Sequence, residues 1–338
     1  MAMTIAELTD KILDGYRIKR GDDLSIFLAA DLDELLEGAG RLQKRFCGNM
    51  FDLCSIINGR SGRCSENCKY CAQASCNHTG VEEYNFLSKE EILELARANE
   101  EAGVNRLAIV TAGRALKGKD FEKALDAYRL MRKELKIGLC ASMGFLDEEQ
   151  FRQLKEVGVT NIHNNIETSR RFFPEICTTH TFDDKIRTIK LAQKVGLTVC
   201  SGGIIGLGEN WEDRLDMALT LSELGIKSIP INTLIPIKGT PLEDLPQLSG
   251  DDVQRTLAFF RFINPEANIR LAAGRAVLPG AGETVIGHGV SATITGNMLT
   301  TAGAATIATD LAMLKRLGLT NKAEEAVVPE PVKETVSR

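Results

Sequence analysis

The sequence lacks the features that mark membrane proteins and nucleic-acid-binding proteins. Nowhere do about 18 apolar residues follow one another, so no membrane span is expected. Residues 1–26 carry acidic side chains and no apolar signal-peptide core, which favours a cytoplasmic protein. The net charge is −5 and basic residues form no long run, so the composition predicts neither a nucleic-acid partner nor binding to an anionic membrane.

Cysteine, by contrast, is abundant, with nine residues in a chain of 338. Disulfide scaffolds are usually short secreted chains, whereas this chain is long, carries an odd number of cysteines and shows no export signal. In a reducing compartment, clustered cysteines are more often metal ligands or catalytic groups. The spacing of the cysteines is therefore the main clue to the chemistry.

Short β-branched runs alternate with longer amphipathic segments, the pattern of repeated βα units in a protein of α/β class. Eight strands separated by helices predict one closed (β/α)8 barrel of the TIM type, and a doubly wound open sheet is the alternative. Helices are predicted over 89–102, 122–134, 184–195, 211–224 and 251–263. Strands are predicted at 53–57, 107–111, 137–141, 161–166, 198–202, 228–232, 269–272 and 291–295.

The barrel is expected to occupy residues 46–319, after an N-terminal helical extension at residues 1–45. The tail at 320–338 contains Pro329, Pro331 and scattered charges, which predicts disorder. In a barrel of this type the reactive groups lie at the C-terminal ends of the strands, so the motifs described below should share one face.

The strongest local motif is Cys64, Cys68 and Cys71, a C-x3-C-x2-C spacing directly after the first predicted strand. Three such thiolates can hold three corners of a [4Fe–4S] cluster and leave its fourth iron open, because cysteine thiolates are the normal ligands of that cluster. A structural zinc site, completed by Cys76 and His78, is the alternative.

This cysteine spacing resembles the signature of radical S-adenosylmethionine (SAM) enzymes. The resemblance implies that the three cysteines bind the cluster and that the amino and carboxylate groups of SAM bind its free iron. One-electron reduction then cleaves the sulfonium to methionine and a 5′-deoxyadenosyl radical. In such enzymes the protein holds this radical against the chosen C–H bond and excludes water.

Within that superfamily, residues 48–319 resemble the biotin synthase family. The resemblance implies insertion of sulfur into dethiobiotin at C9 and then C6, electron supply by a flavodoxin or a ferredoxin, and a homodimer. It is carried by the segments at 69–73, 164–169, 178–181, 200–209, 238–242, 270–275 and 299–301.

The resemblance also implies a set of cofactor-binding residues. Gly203, Ile205 and Gly206 match positions that line the adenine pocket, and Tyr70 of the cysteine motif is expected to bind the cofactor as well. The glycines have a structural alternative, since a strand end that needs positive φ or close backbone approach also favours glycine.

Three further residues match positions in the acceptor pocket of the family. Asn165 and Glu167 correspond to residues that contact the nucleoside ribose and dethiobiotin, and Asn232 corresponds to an asparagine that contacts the substrate. The family usually has Asp where Glu167 stands and Asn where His163 stands. These departures concern the acceptor pocket rather than the cofactor site.

Biotin synthases also hold an auxiliary [2Fe–2S] cluster inside the barrel, bound by three cysteines and one arginine, which is a source of the inserted sulfur. Cys140, Cys200 and Arg270 match three of these ligands, whereas Ala108 stands where the remaining cysteine is expected. Cys54 is the candidate replacement. The strand count puts these four candidate ligands on strands 1, 3, 5 and 7, and side chains from alternate strands share a layer of the barrel interior.

Other interpretations of these cysteines stay open. Cys177 is a further candidate ligand, which would make the auxiliary cluster a four-iron type. Alternatively, Cys54, Cys140 and Cys200, here called the inner cysteines, are small buried hydrophobic residues. Arg270 argues against that alternative, because a guanidinium is almost never buried unpaired and an anionic cluster would compensate it. Cys47 and Cys76 receive no role.

Two other functions compete with sulfur insertion. One is a different radical SAM reaction on a similar barrel, of the hydrogenase-maturation or methylornithine-forming type, which would survive a Cys200→Ala change. The other is a barrel with a structural zinc site or a ligand-sensing role, which would purify as a colourless protein with stoichiometric zinc.

Overall fold

A computed structural model describes residues 3–296 and 305–322. The predicted motif at 299–301 and most of the predicted tail, residues 323–338, lie outside the described residues. Three helices precede the first strand: α1 Ile5–Leu13, α2 Ile26–Ala29 and α3 Leu32–Cys47. The side chain of Thr4 caps α1 and that of Asp31 caps α3, each by accepting hydrogen bonds from backbone amides of the first turn.

The strands form one closed parallel barrel, which confirms the predicted (β/α)8 fold and rules out the open sheet. The strands are β1 Asp52–Arg60, β2 Arg106–Thr111, β3 Gly138–Ser142, β4 Asn161–His163, β5 Thr198–Cys200, β6 Gly203–Ile205, β7 Ser228–Thr233, β8 Asn268–Leu271 and β9 Ala292–Ile294. Neighbouring strands follow the order β5-β4-β3-β2-β1-β9-β8-β7-β6, and an additional pairing of β5 with β7 closes the ring.

Helices cover the outside of the barrel, and α10 also packs against α3 of the N-terminal segment. The side chains of Ser88, Asp147 and Ser249 cap α4, α6 and α10 by accepting hydrogen bonds from backbone amides of the first turn. No helix within residues 3–296 and 305–322 is long and apolar enough to cross a membrane. The helices are α4 Lys89–Glu101, α5 Gly118–Glu134, α6 Glu148–Glu156, α7 Phe173–Ile176, α8 Phe182–Lys194, α9 Trp211–Glu223, α10 Gly250–Ile263 and α11 Ile307–Arg316.

The predicted fifth strand, 198–202, is interrupted in the structure and continues as β6. At the interruption a Cβ on Gly202 would lie 1.9 Å from the carbonyl oxygen of Pro230, so the two backbones approach too closely for any side chain. Pro230 on β7 also has no N–H to donate to this part of the ladder. β5 and β6 therefore occupy one strand position, and the barrel keeps eight positions around its axis.

Candidate active site

The cysteine motif lies in a loop at the C-terminal end of β1 and folds back on itself. The backbone amide of Cys64 donates to the carbonyl of Gln73 (3.0 Å). The side-chain amide of Asn77 donates to the carbonyls of Cys71 (2.8 Å) and Cys68 (3.3 Å). These bonds hold three half-buried thiols at the mouth of the barrel.

The loop does not form the zinc site that was considered as an alternative. Cys76 is exposed, with its sulfur 3.7 Å from the side-chain oxygen of neighbouring Asn77. Among the described residues, the only three Cys, His, Asp or Glu ligand atoms that come within 4.8 Å of one another belong to Cys68, Cys177 and His180. The three motif thiols are therefore spread more widely than the ligands of a single ion, as the corners of a cluster require.

Cys177 lies against this loop and not among the inner cysteines, which corrects its prediction as an auxiliary-cluster ligand. Its sulfur is 3.7 Å from the sulfur of Cys68 and 3.3 Å from Nδ1 of His180, and that nitrogen is 2.5 Å from a carboxylate oxygen of Glu66. The backbone amide of Lys69 donates to the carbonyl of Ile176 (2.9 Å), so α7 and the residue after it are fixed beside the mouth.

This contact changes the acidity of both thiols. The hydrogen bond from Cys68, followed by that from His180, lowers the pKa of Cys177 to about 3. The same hydrogen bond between the two thiols, together with burial, raises the pKa of Cys68. The acidity of Cys177 thus depends on a residue of the predicted cluster-binding motif.

A cavity of about 310 Å³ opens between the cysteine loop and the strand ends. Polar groups from several strands and from the loop converge on it, as expected for the catalytic face of a TIM-type barrel. The structure brings together here most of the residues predicted to bind cofactor or substrate. Its lining includes Tyr70, Cys71, Gln73, His163, Asn165, Glu167, Cys200, Ile204, Asn232 and Arg270.

Glu167 has an unusual backbone conformation, with φ at +71°. Its amide donates to the carbonyl of Gly202 (3.1 Å) and its carbonyl accepts from the amide of Ile204 (2.8 Å), so neighbouring backbone holds the strained residue in place. Its carboxylate lies 3.7 Å from the ammonium of Lys185. Burial, and then the nearby Glu167 charge, raises the pKa of Tyr70 well above its usual range.

The two predicted asparagines also line this cavity and are anchored by backbone groups. Asn165 accepts a hydrogen bond from the amide of Gly202 (3.2 Å). Asn232 donates to the carbonyl of Gly203 (3.1 Å) and accepts from the amide of Ala273 (3.1 Å). Their positions are therefore fixed before any ligand arrives.

The predicted adenine-pocket residues are not part of this lining. Ile204 faces the cavity, whereas Ile205 is fully buried on the other side of β6, because successive side chains of a strand point to opposite faces. A Cβ on Gly203 would lie 2.3 Å from the carbonyl oxygen of Glu167, so this glycine permits close packing of two backbones. Gly206 has a φ of +91° and likewise lies outside the lining. Strand alternation alone would have pointed to Ile204.

The inner cysteines lie at the inner end of the cavity, two of them beneath its lining and one within it. Ile56 and Ser142 line its wall, and Cys54 and Cys140 come two residues earlier on the same strands, hence on the same inward face and deeper in the barrel. Cys200 lines the cavity itself. All three are buried and occupy the first, third and fifth strand positions, and Arg270 on β8 occupies the seventh.

These thiols influence one another. A hydrogen bond between Cys140 and Cys54 lowers the pKa of Cys54 and, with burial, raises that of Cys140 well above its usual range. The Arg270 charge also lowers the pKa of Cys54. Burial raises the pKa of Cys200, whose sulfur lies 3.1 Å from the hydroxyl of Ser228.

Arg270 is buried but not unpaired, which corrects the argument that an anionic cluster must compensate it. It forms an ion pair with Asp52, at the start of β1, and it donates to the carbonyls of Asp52 (3.1 Å) and Thr293 (2.9 Å). Asp52 also binds Arg106, at 3.2 Å. Asp52 lies two residues before Cys54 and therefore on the same face of β1, a position that strand alternation could have identified from the sequence.

His163 also has no predicted role, and it faces the cavity. It lies on β4 directly beside Cys200 on β5. Burial, and then the charges of Arg270 and Arg106, lowers the pKa of His163 to about 4, so the imidazole is neutral at physiological pH.

The arrangement fits two iron–sulfur clusters. Thiols at the mouth are accessible to a cofactor, and the buried thiols beneath them converge from alternate strands, as cluster ligation requires. The Nε of Arg270, a residue of the cavity lining, is buried without a hydrogen-bond partner among the described residues, and an unpaired donor suits an anionic group.

Comparison with known proteins agrees with this geometry. A family model described as the radical SAM superfamily matches residues 60–221. Methylornithine synthase has the same fold, with a TM-score of 0.80 at 18% identity, covering 94% of this chain and 97% of that one. HydG, a maturase of the [FeFe]-hydrogenase, also has a TM-score of 0.80, at 19% identity, covering 94% of this chain and 76% of that one. The fold is that of a radical SAM barrel enzyme.

Relatives that match over nearly their whole length identify the family within the radical SAM superfamily. The biotin synthase of Alkaliphilus metalliredigens is 57% identical over 316 residues, 94% of this chain and 99% of that protein. The biotin synthase of Clostridium beijerinckii is 57% identical over 312 residues, 92% of this chain and 98% of that protein. A model described as the Biotin and Thiamin Synthesis associated domain matches residues 230–320. The chain belongs to the biotin synthase family.

Proposed function

We propose that this member of the biotin synthase family inserts sulfur into dethiobiotin through the two groups of cysteines described above. The observation that carries the proposal is the position of three buried thiols on alternate strands, at the inner end of a cavity. The C-x3-C-x2-C loop lies at the mouth of the same cavity. A radical SAM enzyme without a sulfur donor would need the loop but not the buried thiols.

Cys64, Cys68 and Cys71 are the residues that would hold a [4Fe–4S] cluster together with SAM. When bound, these cofactors supply the 5′-deoxyadenosyl radical that removes hydrogen from unactivated carbon. The chain's own contribution is to fix the loop through Asn77 and to place Tyr70 at the cavity wall. The cavity walls also keep water away from a reactive centre.

The inner cysteines would hold the auxiliary iron–sulfur cluster, either a [2Fe–2S] or a four-iron type, as its thiolate ligands. Cys54 supplies the thiolate that Ala108 cannot, and its location on the first strand position places it opposite Cys200 on the fifth. The positive charge of Arg270 beside Cys54 and Cys200 stabilises thiolates at this depth.

The cavity suits the shape and polarity of dethiobiotin. Asn165 and Asn232 present amide groups that can exchange hydrogen bonds with a ureido ring, and the apolar walls formed by Ile56, Ile204 and Ile294 can contact its aliphatic chain. The wall thiol Cys200 places the sulfur source next to the same space.

The enzyme also needs an electron donor, and we propose a flavodoxin or a ferredoxin in that role. A homodimer in the cytoplasm completes the proposal. Nine free cysteines suit a reducing compartment, where thiols and iron–sulfur clusters persist.

The test is anaerobic reconstitution of the full-length chain, with iron and sulfide counting, Mössbauer spectroscopy and product analysis. We expect Cys54→Ala, Cys140→Ala and Cys200→Ala to lose auxiliary iron and biotin formation while still cleaving SAM to 5′-deoxyadenosine. Cys76→Ala, at an exposed thiol, is the matched control and should behave like the wild type. Biotin formation by Cys200→Ala would contradict the proposal, and so would absence of a four-iron signal from the wild type.

A further inference from the structure

A second concavity, of about 310 Å³, lies beside the cysteine loop and shares no lining residue with the active-site cavity. Its residues come from the cysteine loop and from the C-terminal ends of β1, β2 and β3 or the turns that follow them. It therefore opens on the same face of the barrel as the predicted cluster site.

This concavity is strongly basic. Its lining carries four cationic side chains and, among the residues that the structure describes, no carboxylate. The four cations are Arg60, Arg63, Arg114 and Lys117. We call this site the basic concavity.

Ion pairs anchor three of the four cations without neutralising the lining, because their carboxylate partners stand outside it. The pairs are Arg60 with Asp120 (3.4 Å), Arg63 with Glu83 (2.8 Å) and Arg114 with Glu66 (3.2 Å). Three of the cations, Arg63, Arg114 and Lys117, are exposed. A partner in solution can therefore reach their charges.

The sign of this site is opposite to that of the chain as a whole, whose net charge is −5. A negatively charged partner is repelled by the chain on average, so a local concentration of positive charge determines where it can approach. The basic concavity is thus suited to an acidic partner.

The basic concavity adjoins the loop predicted to hold the [4Fe–4S] cluster. Arg63 and Ser65 line it and flank Cys64 in the chain, and consecutive Cα atoms are only about 3.8 Å apart. Arg114 also donates to the carboxylate of Glu66, inside the cysteine motif. Electron transfer between protein-bound centres slows steeply with distance, so a partner seated here is well placed to exchange electrons with this loop.

An apolar group lies among the cations. Phe145 is half-buried in the lining, and the guanidinium of Arg114 lies 5.1 Å from the centre of its ring. An apolar centre with a charged rim is typical of protein interfaces. Electron-transfer complexes have small interfaces of this kind, and charge complementarity orients the partners.

We propose that the basic concavity is the docking surface of the electron donor, an acidic protein with a low-potential flavin or iron–sulfur centre. One electron passes from the reduced donor to the [4Fe–4S] cluster, whose charge falls from 2+ to 1+ while the donor is oxidised by one electron. This inference rests on the proposed function, because it presupposes the cluster held by Cys64, Cys68 and Cys71.

The experiment is anaerobic stopped-flow reduction of the reconstituted full-length chain, followed by the loss of cluster absorbance. The donors are an acidic flavodoxin in its hydroquinone form and, separately, a reduced acidic ferredoxin. We expect the double variant Arg63→Glu, Lys117→Glu to lower the second-order rate constant at least tenfold at low ionic strength for the physiological donor type. The difference should shrink to a few-fold at high salt, because salt screens exposed charges.

Two further double variants serve as controls. Arg129→Glu, Lys133→Glu also reverses one arginine and one lysine, toward the C-terminal end of α5 and so away from Lys117, which precedes that helix. Arg63→Lys, Lys117→Arg keeps both charges in the basic concavity. Both variants should react with the donor at the wild-type rate. Photoreduction by 5-deazaflavin, a small uncharged reductant that needs no docking surface, should be equally fast in all variants.

Several results would overturn the docking surface. One is an unchanged rate for Arg63→Glu, Lys117→Glu with both donors, and another is an equal loss in Arg129→Glu, Lys133→Glu. Equal slowing by 5-deazaflavin would show that the residues act on the cluster and not on the donor. Saturable binding of inorganic phosphate, lost in the Arg63 and Lys117 double variant, would make the concavity a small-anion site instead.

Failure of the proposed function has a different signature. A wild-type chain that shows no four-iron signal, or that forms no 5′-deoxyadenosine after reduction by 5-deazaflavin, overturns the proposed function whatever the donor does. A normal four-iron signal with donor rates that ignore the basic concavity overturns the docking surface alone.

Discussion

The guanidinium of Arg270 on β8 and the carboxylate of Asp52 on β1 form an ion pair across the floor of the barrel. Burial opposes ionisation of Asp52, but the charges of Arg270 and Arg106 together lower its pKa. A positive charge is thereby fixed near Cys54 and Cys200, with its countercharge on β1. The pair explains how an arginine can be buried at this depth whether or not a cluster is present.

Removing one partner of this pair should leave a buried charge uncompensated. We expect Asp52→Asn to lower the free energy of unfolding of the cluster-free chain by about 3–5 kcal/mol, the usual cost of breaking a buried pair. Urea denaturation followed by circular dichroism measures this. The control is Asp10→Asn, which breaks an exposed pair with Arg41 and should have little effect. Equal stability of the Asp52 and Asp10 variants would show that the buried pair does not stabilise the barrel.

The placement of the inner cysteines could be predicted because it depends on counting strands. The family resemblance supplied Cys140, Cys200 and Arg270, and the strand count put these residues and Cys54 on alternate strands, where the structure also has them. The position of Cys177 could not be predicted, since it depends on α7 and its hydrogen bonds to the cysteine loop, which are tertiary contacts. The break between β5 and β6 likewise results from the close approach of the Pro230 carbonyl.

Asp213 at the start of α9 should make the fold sensitive to acid. Burial opposes its ionisation, but hydrogen bonds from Arg171, Ser169 and the amide of Asn210 lower its pKa overall. A carboxyl with a lowered folded-state pKa contributes stability that is present above the unfolded pKa, about 3.9, and is lost as pH falls through the folded value.

We therefore expect the urea midpoint of the cluster-free chain to fall between pH 5 and pH 3 and to fall less steeply in Asp213→Asn. Asp126→Asn, which removes an exposed carboxylate paired with Arg129, serves as the control and should keep the wild-type slope. Parallel pH curves for the Asp213 variant and the wild type would show that this carboxyl does not take part in acid unfolding.

Cys177 should tune the cluster at the mouth and leave the inner one untouched. Its sulfur accepts a hydrogen bond from Cys68 and its pKa is lowered, and net charge beside a cluster is among the factors that set reduction potential. Because the change removes a negative charge, we expect Cys177→Ala to shift the midpoint potential of the [4Fe–4S] cluster to a higher value while auxiliary iron content is unchanged. Redox titration followed by EPR measures the shift, with Cys76→Ala as the thiol control. Loss of auxiliary iron in Cys177→Ala would instead place this residue with the inner cysteines.

Ile204 and Ile205 are adjacent on β6 yet should respond oppositely to truncation. Ile205 is fully buried, so Ile205→Ala should lower the free energy of unfolding by about 2–5 kcal/mol through the cavity it leaves. Ile204 lines the cavity wall, so Ile204→Ala should weaken binding of SAM or dethiobiotin several-fold with a smaller effect on stability. Isothermal titration calorimetry and urea denaturation of both variants separate the two effects. If Ile205→Ala weakened ligand binding while Ile204→Ala left it unchanged, the inward and outward faces of β6 would have to be exchanged. Ile205 would then line the cofactor pocket, as the family resemblance implies.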